Sequence, residues 1–361
     1  MTVGIHQRDL TLRTPLVAGG HTLDHRRVWV VAIDHAGHRG LGEAAPLPGF
    51  GGEPPEHCAG TLSRAKTLLT PAYLSAFLAG VRSLGDDLEN LLVAAPCARH
   101  AIEGALLDLL AQHLDLPLAV VLGADAKSLA VNALIGGEGD DAHAADRAQA
   151  AEDVGFTTVK LKLPADPDRA VARVIAVSRA LAKGTLLRVD ANAAWTLTAA
   201  ARFARSVFDV PIEYCEQPLA ADGIEDAARL REDTGLRIAA DESIRNADDI
   251  DRVATGFNGT AAADVVILKP MFLGGWAPLV DAARRADRHG LDVVITSALD
   301  GAIGRAAATH YALALDLTGV AHGLSTGGLF ARDLTSEPLG IATGRVSVRD
   351  LPGLGVGDLN D

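Results

Sequence analysis

Lysine is scarce in this chain and oddly placed. Of 33 basic residues only six are lysines: Lys66, Lys127, Lys160, Lys162, Lys183 and Lys269. Two of them stand in GFTTVKLKLPAD (Gly155 to Asp166), a stretch that otherwise reads as a buried strand. Side chains two apart on a strand share a face, so Lys160 and Lys162 bring two ammonium groups together. Arginine stays charged almost anywhere, whereas burial and neighbouring charge move a lysine toward its neutral form, in which it acts as a base. Lysines kept inside strands of an arginine-rich chain are therefore candidates for proton transfer. With Lys160 lowering the proton affinity of its neighbour, Lys162 is the expected base. Lys160 has a second reading, a structural ion pair with a nearby carboxylate.

Downstream, carboxylates recur at a regular interval. Asp190 closes LLRVD, Glu216 closes IEYCE and Asp241 follows RIAA, after which come Lys269 in VVILKP and Ser297 in VITSALD. The steps are roughly 25–30 residues, about one βα unit each. Three carboxylates brought to one spot repel, and each is costly to bury as a charge. A divalent cation removes that cost, and oxygen ligands without His or Cys favour Mg²⁺, with Mn²⁺ as the substitute. Any one of these acids alone could cap a helix or pair with an arginine. All three in order point to a metal site, with Lys162 and Lys269 flanking it.

These residues need elements to carry them. From about residue 130 a helical stretch ends at Gly, an apolar strand follows, and a polar residue closes the strand. Gly155, Gly184, Gly235, Gly259 and Gly290 punctuate the pattern, as glycine does where a helix ends in a left-handed turn. Asp166 and Pro167 have the chemistry of a helix N-cap and first helical position. Strands such as DVVILK are apolar on both faces, as parallel strands covered by helices are. With VNALI (Val131 to Ile135) at the start and GVAHGL (Gly319 to Leu324) at the end, the count reaches eight. The expected fold is α/β: a (β/α)8-type barrel over 126–327 whose active site lies at the C-terminal ends of its strands.

Residues 1–125 follow another rhythm and read as an α+β capping domain. DHAGHRG has turn chemistry between two strand-like runs, and PCARHAIEGALLDLLAQHLDLP reads as an amphipathic helix. The tail, 328–361, holds strand-like pieces expected to pack back on this domain.

KLK, VDAN, EQP, ADES and LKP, in that order and at barrel spacing, resemble the muconate-lactonizing branch of the enolase superfamily. The resemblance runs through almost the whole chain, including GEAAPLPGF (Gly42 to Phe50). It implies removal of a proton α to a carboxylate, with the metal stabilising the enediolate. By motif position the metal ligands are Asp190, Glu216 and Asp241, with Asn192 of VDAN supporting them. Lys162 and Lys269 face each other across the substrate, with Lys160 beside them.

Within that branch, GEAAPLPGFGGE, TSALDGAIG and HGLSTGGLF are most similar to the o-succinylbenzoate synthase family, which implies a dehydration in menaquinone biosynthesis. Ser297, Ala298 and Asp300 are then candidate substrate-binding residues, Ser297 and Ala298 through backbone N–H groups offered to substrate carboxylates. Asp300 departs from the pattern, since relatives often carry Glu there. Dipeptide epimerases typically carry an Asp-x-Asp pair near the last strand to hold an ammonium group, and AHGLSTGGLFARDL has none. Dipeptide epimerase or N-acylamino-acid racemase activity is the alternative. VAGGHTLDHRR (Val17 to Arg27) reads as a loop closing over the substrate, with His21 and His25 as solvent-facing histidines. A Schiff-base barrel would leave the three carboxylates unexplained. A non-catalytic scaffold would be expected to lack a site residue, and none is missing.

A formal net charge of −13 argues against nucleic acid and anionic membrane surfaces as partners, and no apolar run approaches membrane-spanning length. Cys58, Cys97 and Cys215 form neither a metal spacing nor a disulfide framework, which suits a reducing cytoplasm. The expected partner is a small-molecule carboxylate, and a homo-oligomer is compatible with all of this.

Overall fold

The structure, a computed structural model, describes residues 1–18, 21–80, 83–137 and 139–360, with the side chains of 17, 18 and 21 outside that description. It opens with a three-stranded antiparallel sheet of β1 (Thr2–Ala18), β2 (His21–His35) and β3 (His38–Ala44), in the order β1-β2-β3. The expected turn at DHAGHRG is present: His35 pairs with His38 across Ala36 and Gly37, both at positive φ, the conformation a two-residue hairpin demands. β1 was not legible in advance, and the segment expected to be a loop at 17–27 belongs mostly to β2, with a bulge in β1 between Thr11 and Leu16. His25 is exposed and bonded to Asp24; the side chain of His21 lies outside the described residues.

This sheet packs on the helix Pro96–His113, which is buried on all sides from Cys97 to Ala111 rather than amphipathic. Its buried Arg99, Glu103 and Asp108 are all partnered, as described below, and His100 Nδ1 donates to Glu43 O while its Nε2 has no partner among the described residues. Gly42 and Gly40 let β3 lie directly on the helix backbone. A Cβ at Gly42 would fall 1.9 Å from the Ala101 carbonyl oxygen, and one at Gly40 would fall 2.1 Å from that of Ala105.

The strand β4 (Ser128–Ala130) leads into a parallel sheet of seven strands: β5 (Ala133–Ile135), β6 (Thr158–Lys162), β7 (Leu186–Asp190), β8 (Ile212–Glu216), β9 (Ile238–Ala240), β10 (Val265–Leu268) and β11 (Asp292–Ile295). The eighth position is filled without a regular strand. His322 and Gly323 bridge Val131 on one edge and Thr296 on the other, so the ring closes through single bridges. Tyr214, Ala239, Val265, Ile267 and Val294 fill the interior, as a packed barrel requires. Asp166 caps the helix Pro167–Ala180 through the N–H groups of Asp168 and Arg169. Gly235 ends the helix Ile224–Thr234 at φ 69.

In the tail, β12 (Ile341–Ala342) pairs with β13 (Arg345–Ser347), and β13 pairs with β4. Farther on, Gly353 and Leu354 bond to Leu118 and to Asp108 of the buried helix. Among the described residues no helix is long and apolar enough to cross a membrane.

Candidate active site

Parallel register brings the expected residues side by side. Lys162 on β6 is paired with Asp190 on β7, and Asp190 with Glu216 on β8. Asp241 follows the last residue of β9, Lys269 follows that of β10, and Thr296 follows that of β11. The chain turns sharply just beyond these ends. Asn192, Ala193, Gln217 and Leu299 all sit at positive φ without being glycine, and backbone strain of this kind concentrates where side chains must be aimed.

Each lysine meets a carboxylate. Lys160 Nζ donates to Glu216 Oε1 at 2.6 Å and lies 3.0 Å from Asp190 Oδ2. Lys162 Nζ donates to the same Asp190 oxygen at 2.6 Å and to Asn192 Oδ1 at 2.9 Å. Lys269 donates to Asp241. Burial opposes charge on Lys160, yet Asp190 and Glu216 hold it well above its ordinary value. Burial opposes charge on Asp190 too, but Lys160 and Lys162 keep it ionised. Glu216 is pushed up to about 8 by burial and by Asp190. Lys269 is raised by Asp241 and Glu242 against its own burial. The reading of Lys160 as an ion-pair partner of barrel carboxylates therefore matches its contacts here.

The donor chemistry suits a divalent cation. Glu216 Oε2 is buried and has no hydrogen-bond partner, an acceptor with nothing to accept. Such an atom is costly unless something cationic meets it. In the present side-chain positions the lysines hold the carboxylates, and among the described residues no three acidic, His or Cys groups are gathered into a coordination shell.

A cavity of about 460 Å³ opens over these strand ends. Lys160, Lys162, Lys269, Asn192, Asp241, Ser297 and Ala298 all line it. Asp300 does not. It is buried behind the wall, where its carboxylate accepts the Ala298 N–H and its carbonyl accepts from Arg305, so its expected role in binding substrate is withdrawn. The backbone N–H groups of Ser297 and Ala298 are likewise taken, by Gly323 O and Asp300 Oδ1. The Ser297 hydroxyl pairs with that of Thr326.

Several residues that the sequence left unassigned belong here. Glu242 lines the cavity with Oε2 buried and unpartnered, and its other oxygen accepts from Asn192. The Thr296 hydroxyl, also lining it, has no partner either. Gln217 accepts the N–H groups of both Asp241 and Ser243 and donates to Leu219 O, which fixes the turn carrying Asp241. Glu242 and Gln217 stand inside ADES and EQP, so their motif membership was the available signal.

Comparison with known proteins agrees with this geometry. The family profile described as "Enolase C-terminal domain-like" matches residues 143–357, and that of "Mandelate racemase / muconate lactonizing enzyme, N-terminal domain" matches 1–123. An L-Lys-D/L-Arg epimerase of Methylococcus capsulatus is 32% identical over 77% of this chain and 76% of its own length. An o-succinylbenzoate synthase of Mycobacterium ulcerans is 43% identical, but over 49% of this chain and 51% of its own, so this chain aligns with about half of that relative. A solved dipeptide epimerase from Methylococcus capsulatus, complexed with Mg and the dipeptide L-Arg-D-Lys, superposes with a TM-score of 0.84 at 29% identity, covering 99% of both chains. Lysines and carboxylates at successive strand ends, a cap over the barrel mouth and both profiles agree: the chain is an enzyme of the enolase superfamily, in its mandelate racemase/muconate lactonizing branch.

Proposed function

We propose that the chain is a Mg²⁺-dependent carbon–oxygen lyase that forms o-succinylbenzoate from 2-succinyl-6-hydroxy-2,4-cyclohexadiene-1-carboxylate. The observation that carries this reading is the pairing of two lysines with an uncharged lid. Lys162 and Lys269, from strands separated by β7, β8 and β9, line one cavity, and the cap contributes Pro15, Leu16, Leu23, Leu47 and Phe50 to it. Among the described residues, no cap residue in that lining carries a charge. A substrate with a ring and a neutral middle suits such a lid, and the volume suits a small dicarboxylate. Thr296, Ser325 and Asn132 remain to meet the second carboxylate.

Asp190, Glu216 and Asp241 would hold the cation, which when bound supplies positive charge to the substrate carboxylate and so eases loss of the adjacent proton. The remaining steps belong to the chain. Lys162 takes the proton from C1, and that C–H electron pair becomes the new ring double bond to C6. The C6–O bond breaks, and the departing hydroxide takes the same proton from the Lys162 ammonium, leaving as water. Asn192 accepts from Lys162 and donates to Glu242, which aims the amine. Lys269, kept protonated by Asp241, stabilises the developing negative charge from the other side.

Racemisation or epimerisation of an acylated or dipeptide substrate is the second reading, favoured by the long alignment to the L-Lys-D/L-Arg epimerase. The same two lysines would serve it, but among the described residues a free ammonium or guanidinium group has no carboxylate on the cap side of the cavity. The test is loss of diene absorbance from the cyclohexadiene substrate with Mg²⁺, with EDTA, and in Lys162→Ala. Turnover lost in both controls, by about 10⁴-fold in the variant, supports the lyase. No turnover by the Mg²⁺-loaded wild type, together with α-deuterium incorporation into a dipeptide or N-acylamino acid in D₂O, overturns it in favour of the isomerase. The proposal includes work in the cytoplasm on a small-molecule carboxylate, with no nucleic acid or membrane partner and with a homo-oligomer as a compatible assembly.

A further inference from the structure

Behind the cavity wall one side chain joins three segments, its own strand and the two it bonds to. Arg26 lies on β2, three residues beyond Leu23, and is 2% exposed. Its Nη1 donates to Pro46 O at 2.9 Å, and its Nη2 donates to Ala45 O at 2.7 Å and Ala298 O at 3.3 Å. Its Nε donates to Leu299 O at 3.3 Å. All four acceptors are backbone carbonyls. Among the described residues no carboxylate forms an ion pair with it. Asp300 and Glu43, both buried, are the acids that act on its charge from farther away.

Each segment so held contributes to the cavity. The hairpin of β1 and β2 supplies Leu16 and Leu23, the stretch after β3 supplies Leu47 and Phe50, and the turn after β11 supplies Ser297, Ala298 and Leu299. Leu299 sits at φ 58, a region that a leucine occupies only where its surroundings hold it. One of the groups holding it is the Arg26 guanidinium, through the Leu299 carbonyl. The guanidinium is a flat, rigid fork of five N–H donors, so bonding four carbonyls fixes their mutual positions. Arg26 itself does not line the cavity.

We infer that Arg26 is the positioning residue that sets the cavity wall facing the part of the substrate beyond its reacting carboxylate. This rests on the cavity being the active site, as proposed above. The wall is assembled from the cap and the barrel together, and Arg26 fastens the 45–46 and 298–299 backbones to each other beside the Glu43 bonds to Gly301 and Gly304. Loss of the fork frees the 45–50 and 297–299 backbones while leaving the lysines and carboxylates of β6, β7 and β8 in place.

The experiment pairs Arg26→Lys with Arg26→Ala in the full chain. The lysine keeps a cation beside Asp300 but is a compact point donor that cannot span four carbonyls, and it serves if the alanine variant does not accumulate folded protein. Hydrogen–deuterium exchange by mass spectrometry, without substrate, is expected to quicken about tenfold or more in peptides covering 44–50 and 296–301. Peptides covering β6 and β7 should be unchanged. On the cyclohexadiene substrate, KM should rise about tenfold with kcat within about threefold. Unchanged exchange in those two segments, or a uniform rise along the whole chain, would overturn the inference, as would a fall in kcat at constant KM. If the wild type does not turn over this substrate, the proposed reaction fails, and the exchange measurement still decides the role of Arg26.

Discussion

Two groups of buried acids in this molecule are treated differently by their surroundings. At the junction of cap and barrel, Glu43 accepts the N–H groups of Gly301 and Gly304, Glu53 those of Cys97 and Ala98, and Asp108 those of Leu41 and Leu354. Glu103 accepts Trp276 and Ala277 N–H groups and pairs with Arg99. Each of these carboxylates has both oxygens in use, and the partners are mostly the first turns of helices, where unpaired N–H groups welcome negative charge. At the barrel mouth the acids meet lysines, and Glu216 and Glu242 each keep one oxygen without a partner. Saturation by backbone marks an acid that ties segments together. Pairing with movable ammonium groups, with acceptors left over, marks one kept ready for a ligand.

Substituting across that divide should separate activity from stability. Glu216→Gln keeps the shape of the side chain and removes its charge. It should lower turnover by about 10³-fold through weakened cation binding and a poorer electrostatic setting, while the melting temperature stays about level because burial and Asp190 already disfavour the Glu216 charge without the cation. Steady-state kinetics over a Mg²⁺ titration beside a thermal melt checks both halves. A large drop in melting temperature would erase the distinction drawn here.

Glu103→Gln is the mirror experiment. It leaves Arg99, which is buried and also bonded to Glu89 and to Gly274 O, with half its counter-charge, and it sets an amide against the Trp276 or Ala277 N–H. A loss of about 3 kcal/mol is expected in urea unfolding, with kcat per folded molecule unchanged. Activity falling in step with Glu216→Gln would mean the junction acids also shape the site.

What the sequence revealed follows the same divide. Lys160, Lys162, Asp190, Glu216, Asp241 and Lys269 were legible because residue type and the repeat of one βα unit suffice to bring strand ends together. The junction was not. β1 buries Val3, Leu10 and Leu12 among largely exposed neighbours, so its apolar alternation is too sparse to read as a strand. The helix Pro96–His113 carries Arg99, His100, Glu103 and Asp108, which mimic a polar face until their partners from β3, the barrel and the tail are known. The N–H groups of Ser297 and Ala298 were assigned to substrate although Gly323 and Asp300 take them, since backbone pairing between distant segments has no local signature. GVAHGL, expected as the eighth strand, supplies only single bridges at His322 and Gly323, and the His322 ring ties it to β11.

That histidine supplies the smallest of the expected effects. His322 Nδ1 accepts the Ile295 N–H at 3.0 Å, and Nε2 donates to Leu317 O at 2.7 Å. The ring must be neutral for this, because a proton on Nδ1 would face another N–H. Burial accordingly pushes its pKa down to about 4. A base whose folded pKa is depressed contributes stability that is present above its unfolded value of about 6.5 and is lost as pH falls toward the folded one. His310 has the same arrangement, with Nδ1 accepting the Ala119 N–H and its pKa also pushed down to about 4 by burial. Between pH 6.5 and 5 each ring should therefore remove about 2 kcal/mol of stability. The comparison to make is urea unfolding of wild type and His322→Asn at pH 7 and pH 5. The variant starts less stable, but its further loss on acidification should be smaller by about 2 kcal/mol. An equal loss in both proteins would mean that the ring is not held neutral, and the barrel would then need another explanation for how it closes between β11 and Val131.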